Sequence, residues 1–117
     1  MASAGEKITF HVLFMDGLNN RVAVINPSLE IFSFDANGER VTLVEAGTPM
    51  EEVENDFGRY AYTYQIPLSY DLGSRIYALM QGTDPATDFT IFVEDNADVY
   101  EDGAMGGSRN MTARFIK

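Results

Sequence analysis

The sequence has no cysteine, no tryptophan and a single histidine, His11. Without cysteine there is no disulfide framework, no thiolate metal site and no cysteine nucleophile. A serine–histidine–carboxylate triad would have to use His11, and no G-x-S-x-G elbow is present to supply its serine. His11 lies mid-strand among apolar residues, so a strand residue at a sheet surface is expected. A Walker-type phosphate loop is missing as well. No stretch approaches the ~20 consecutive apolar residues of a membrane span. The first residues, Met1-Ala2-Ser3-Ala4-Gly5-Glu6-Lys7, lack the basic segment and apolar run of an export signal. Positive charge is scarce too. Eight Lys and Arg stand against 18 Asp and Glu, for a net charge of −10. That sign repels phosphate backbones and anionic lipid, so neither nucleic acid nor a membrane is expected as partner. It suits basic partners, or solubility at high concentration.

What is present suffices for a folded domain. Of 117 residues, 45% are apolar, with eight Phe and six Tyr among them. A chain of this length forms one domain and buries roughly 65% of the surface its unfolded form exposes. A single domain over 1–117 is expected, with 1–6 a flexible N-terminus.

The apolar residues recur with period two, the mark of half-buried strands. Ile8, Phe10, Val12 and Phe14 form the first such set, ending at the turn Asp16-Gly17-Leu18-Asn19-Asn20. Arg21 to Ile25 reads as a short strand or edge segment stopped by Asn26-Pro27. Glu30–Phe34 and Glu39–Val44 flank Asp35-Ala36-Asn37-Gly38, a hairpin loop whose Asn and Gly tolerate positive φ. Ala46 to Phe57 reads as an acidic loop with room for one helical turn, the only plausible helix in the chain. Tyr60, Tyr62, Tyr64 and Ile66 alternate with Arg59, Ala61, Thr63 and Gln65. Pro67 ends that strand, and Leu68 to Gly73 connects to the next. Arg75–Met80 and Phe89–Val93 are further strands, separated by a turn over Gln81–Asp88. Glu94 to Gly107 reads as a mobile acidic and glycine-rich segment. The expected fold class is therefore all-β, a two-sheet antiparallel sandwich of about seven strands.

Asp56-Phe57-Gly58-Arg59-Tyr60-Ala61-Tyr62 has the form D-x-G-x-Y-x-Y. It resembles the corner before strand F of immunoglobulin-like sandwiches. The resemblance implies a structural corner of Asp56, Gly58 and Tyr60, with the Tyr60 hydroxyl capping upstream backbone. Tyr62 stands where antibody-type domains carry a cysteine, so the inter-sheet disulfide of those domains is ruled out. The longer phrase Gly58-Arg59-Tyr60-Ala61-Tyr62, Pro67 and Gly73-Ser74-Arg75-Ile76-Tyr77-Ala78 resembles immunoglobulin-like and transthyretin-like modules. Such modules recur in the capsid decoration, neck and tail proteins of tailed bacteriophages. The resemblance implies a non-enzymatic structural protein of a virion, assembled in the host cytoplasm. It would be a homo-oligomer or dock on other virion proteins. The alternative is a carbohydrate- or receptor-binding adhesion module.

Two further features bear on function. Glu94, Asp95, Asn96 and Asp98, continuing to Glu101 and Asp102, offer oxygens for calcium. Their spacing departs from the EF-hand, and a solvated acidic turn is the plainer reading. No catalytic residue, metal ligand or cofactor is assigned. The segment 108–117 carries Arg109, Arg114 and Lys117 with no acid, so that +3 here and −13 elsewhere make up the net charge. It follows a glycine-rich stretch, and Met111, Ala113 and Phe115 alternate. Residues 103–117 therefore form either an assembly arm that pairs with a neighbouring copy, through Arg109, Met111, Arg114, Phe115 and Lys117, or a strand of the chain's own sandwich.

Overall fold

A computed structural model describes residues 2–3, 7–66, 75–100 and 108–115. Among the described residues nine strands follow in order: β1 (Ala2–Ser3), β2 (Lys7–Asp16), β3 (Ile25–Phe34), β4 (Arg40–Pro49), β5 (Glu51–Glu52), β6 (Arg59–Gln65), β7 (Arg75–Thr83), β8 (Thr90–Tyr100) and β9 (Ser108–Phe115). The described residues contain no helix. The strands make a five-stranded sheet, β1-β8-β7-β3-β4, and a four-stranded sheet, β5-β6-β2-β9. Pairing is antiparallel except at β1–β8 and β2–β9, which are parallel.

The core sits between the two sheets because alternate residues of each strand point inward. From the four-stranded sheet come Ile8, Phe10, Val12 and Phe14, all fully buried, with Tyr60 and Tyr64 beside them. Leu29, Ile31, Ile76, Ala78 and Met80 face them from the other sheet. Gly82 of β7 has no side chain because there is no room for one. A Cβ there would lie 2.7 Å from Val24 Cγ2 and 2.8 Å from Phe14 Cζ.

Several elements depart from the sequence expectation, each for a physical reason. Asn26-Pro27 does not stop a strand; β3 runs through it. The register shifts between Ile25 and Ser28, and Asn26 takes φ 52°. At that bulge proline's missing N–H is not demanded by the ladder. The Pro27 carbonyl accepts the Met50 N–H at 2.9 Å. Ala46 to Phe57 holds no helical turn. β4 extends to Pro49 by bulging against β3, and buried Met50 is the pivot from which the chain enters β5 in the other sheet. β7 continues to Thr83, so the turn narrows to Asp84–Phe89, closed by the Asp84 N–H to the Phe89 carbonyl at 2.8 Å.

Glu94 to Tyr100 is strand and not a mobile loop. Its inward positions are Asp95 and Ala97, both buried, and the Asp95 carboxylate meets Arg109 at 3.2 Å. An acid in a strand interior is tolerated when a cation reaches it. Of the expected flexible N-terminus, Ala2 and Ser3 pair in parallel with Val99 and Tyr100. The connection 67–74, the glycine-rich 103–107 and Lys117 lie outside the described residues.

Candidate functional site

Asp56, Gly58 and Tyr60 come together at one end of the sandwich. Gly58 takes φ 85°, and a Cβ there would sit 3.2 Å from the Val22 carbonyl oxygen. Its own carbonyl accepts the Phe14 N–H at 2.9 Å. The Asp56 carboxylate accepts from Arg59 Nε at 2.7 Å and pairs with Arg21. Those two cations, Arg21 foremost, hold the Asp56 carboxyl below the usual carboxylate range. Tyr60 is buried with its ring edge-on to Phe14, 5.8 Å between centroids. Its hydroxyl accepts the Val24 N–H at 3.1 Å and donates to the Val24 carbonyl at 3.4 Å. Burial raises the Tyr60 pKa. In an immunoglobulin-type corner the hydroxyl reaches backbone a few residues upstream. Here the partner is 36 residues away. Tyr60 thus pins the irregular segment between β2 and β3 onto β6.

Residues Ser108–Phe115 occupy the chain's own four-stranded sheet, beside β2, with Phe10 opposite Arg109 and Phe14 opposite Ala113. Of the two arrangements open from the sequence, this is the intramolecular one. The reason is burial. Ala113 and Phe115 close the core, with Phe115 stacked on Phe14 at 6.0 Å. Met111 packs partly against the same core. Arg109 turns inward to Asp95, and Arg114 turns outward to the Asn19 side-chain oxygen.

His11 lies on the outer face of the four-stranded sheet, opposite Ala61 and Asn110. Its Nδ1 is buried without a hydrogen-bond partner among the described residues. Burial, then nearby Arg59, lowers its pKa. Glu94 and Asp95 are adjacent in β8, so they point to opposite faces and do not converge on one cation. Among the described residues no group of three acids or histidines is placed to hold a metal.

The surface features that sequence pattern did not single out are apolar. Leu18, Phe57 and Phe89 are 82%, 58% and 54% exposed. They sit on three loops at the same end. Leu18 and Phe89 line a common cleft, while the Arg21 guanidinium ties the Phe57 carbonyl to the segment after Leu18. The cleft has a volume of about 540 Å³ and includes Phe115, Ala86, Asp16 and Asp84 in its lining. The Asp16 carboxylate accepts the N–H groups of Leu18 at 2.8 Å and Asn20 at 2.9 Å. Those two backbone donors lower its pKa. Asp84 accepts the Ala86 N–H and the Thr87 hydroxyl, each at 3.0 Å.

A second apolar surface lies on the outer face of the five-stranded sheet. Phe32 and Tyr77 stack there with centroids 5.3 Å apart, and Phe34 stands edge-on to both. The Arg40 guanidinium covers Phe32 at 3.9 Å and reaches Glu30 at 2.6 Å. The outer face of a sandwich is ordinarily polar, and Phe89, which continues the alternation of Ile91 and Val93 in sequence, lies in the turn before β8 instead of in the strand. Only the three-dimensional arrangement exposes either surface.

No protein-family model matches the chain, and no curated protein matches it. Among solved structures it is similar to the glucoamylase of Hormoconis resinae. The TM-score is 0.49 at 13% identity, over 96% of this chain and 18% of that one. The chain thus spans less than a fifth of that structure's length.

Proposed function

We propose that this protein is a non-enzymatic docking module, a structural component of a bacteriophage particle that acts through contacts with other proteins. The carrying observation is the exposure of Leu18, Phe57 and Phe89 on three loops at one end of a rigid sandwich. Scattered apolar residues are normal on protein surfaces, but neighbouring loops that each hold one in water mark an interaction site. The scaffold suits this role, since sandwich loops vary freely while the sheets hold them in place. The likeness of Gly58-Arg59-Tyr60-Ala61-Tyr62 to immunoglobulin-like modules supports the virion assignment. The capsid, neck and tail positions all fit this reading.

The test is composition. Tailed particles purified from the source of this sequence should contain the chain at a fixed copy number per particle, measured by quantitative mass spectrometry. Its absence from purified particles would overturn the assignment.

A further inference from the structure

The cleft between the turn after β2 and the turn after β7 combines two chemistries. Its apolar part is Leu18, Phe89 and Phe115, held open by the strands that end there. Its polar part is the half-buried Asp16 carboxylate and the buried Asp84 carboxylate, both fixed by the turn donors that close their own loops. Arg114 is close enough to Asp16 to act on its charge, and it donates to the Asn19 side-chain oxygen. A volume of about 540 Å³ lies within the ordinary range of ligand clefts and accommodates two or three side chains.

We propose that this cleft docks a basic–apolar peptide segment of another protein, seating a Leu-, Met- or Phe-sized side chain on Leu18, Phe89 and Phe115 while an adjacent Lys or Arg meets the Asp16 carboxylate in the field of Asp84. The occupant follows from charge and shape. A second copy presenting the same end would bring Asp16 and Asp84 against their own counterparts, on a chain of net charge −10. An acidic segment would meet the same repulsion. A purely apolar one would strip the remaining water from the Asp16 charge without supplying a counter-charge, which is costly. A basic neighbour on an apolar anchor satisfies both halves of the site. The hot spot is the apolar anchor, and the charges set approach and orientation. This inference deepens the docking reading above and rests on it.

The experiment selects a random twelve-residue peptide library on the immobilised full chain, with depletion on the variant Leu18→Ser/Phe89→Ser. Both substituted side chains are exposed, and an unchanged melting temperature confirms that the variant is folded. Selected sequences should be enriched at least threefold in Lys or Arg beside Leu, Met or Phe. The strongest peptide, followed by fluorescence polarisation, should bind the Ser variant at least tenfold more weakly. It should also lose about tenfold on Asp16→Asn/Asp84→Asn. In that variant the amide oxygens still accept the loop N–H groups, so the turns stay closed. Peptides without basic enrichment overturn the proposal, as does equal binding to wild type and either variant. Self-association of the wild type that Leu18→Ser/Phe89→Ser abolishes also overturns it, in favour of a second copy as occupant. The two readings fail separately. Particles lacking the chain remove the virion role even if the cleft selects basic–apolar peptides. Particles containing it leave that role standing even if the cleft selects none.

Discussion

Tyr60 carries two loads, a buried ring against Phe14 and a hydroxyl that serves both backbone groups of Val24. Tyr60→Ala should cost about 3 kcal/mol, the range for emptying a buried aromatic site. Tyr60→Phe should cost about 1 kcal/mol or somewhat more, because the Val24 N–H then lies buried without its acceptor. Urea midpoints measure both, and a harmless Tyr60→Ala would dismiss the pinning role. The tyrosine itself was legible in G-x-Y-x-Y. Its partner was not, since no local pattern shows which backbone groups of residues 22–24 the ladders leave unpaired. His11 gives a prediction of a different kind. Its folded pKa lies below its ordinary value of 6.5. Between those two values the unfolded chain binds the extra proton, so stability is complete above about 6.5 and falls as pH drops toward the folded pKa. The lowered carboxylates Asp16 and Asp56 lose their contribution only in the more acid window below about 3.8. His11→Thr should therefore flatten the denaturant midpoint in the window just below about pH 6.5 and leave the acid limb unchanged. An unaltered slope in that window would show that the imidazole is solvated.

Strand β9 is the element whose fate the sequence left open. Alternation of Met111, Ala113 and Phe115 announced a strand but not its partner, because period two says which face is apolar and nothing about which chain lies alongside. Parallel pairing with β2 settles the geometry, and it converts truncation after Gly107 into a destructive change. Phe14 would lose its stacking partner, β2 its outer ladder, and buried Asp95 its counter-ion. The truncated chain should show no cooperative thermal transition in near-ultraviolet circular dichroism. A truncated chain that melts near the wild-type temperature would show that β9 contributes little to the isolated domain. The ion pair can be tested alone. Arg109→Met should cost about 1–3 kcal/mol, discounted from the usual figure for breaking a buried pair because Arg109 is partly exposed. Adding Asp95→Leu should recover much of that loss, since no buried charge then remains unpaired. Elsewhere the central strands were legible because each has a clean apolar face. Their extensions were not. The reach of β3 across Pro27 and of β8 through Asp95 depends on a bulge and on a cation supplied by a distant strand.

At the scale of the whole molecule, two opposing forces govern association. A net charge of −10 on a 13.0 kDa chain pushes copies apart. The exposed apolar residues outside the cleft, Phe34, Phe57 and Phe92, pull apolar contacts together. Salt separates these forces, because it shortens the Debye length from about 30 Å at 0.01 M to about 3 Å at 1 M and leaves apolar attraction in place. Had the basic segment 108–117 been free to meet acidic loops on a neighbour, salt would dissolve the assembly. With Arg109 paired to Asp95 inside the chain, part of that attraction is spent within one copy. The expectation is a monomer by light scattering in dilute buffer near pH 7. Its average mass should rise between about 0.02 and 0.5 M salt as repulsion is screened. The same rise should appear without salt as pH falls toward the isoelectric point near 4.3, where the net charge vanishes. Leu18→Ser/Phe89→Ser should leave this rise in place, because a cleft that takes a basic partner does not take a second acidic copy. An assembly already present in dilute buffer that dissociates on adding salt would mean that opposite charges join the copies, and the basic C-terminal strand would again be the first place to look.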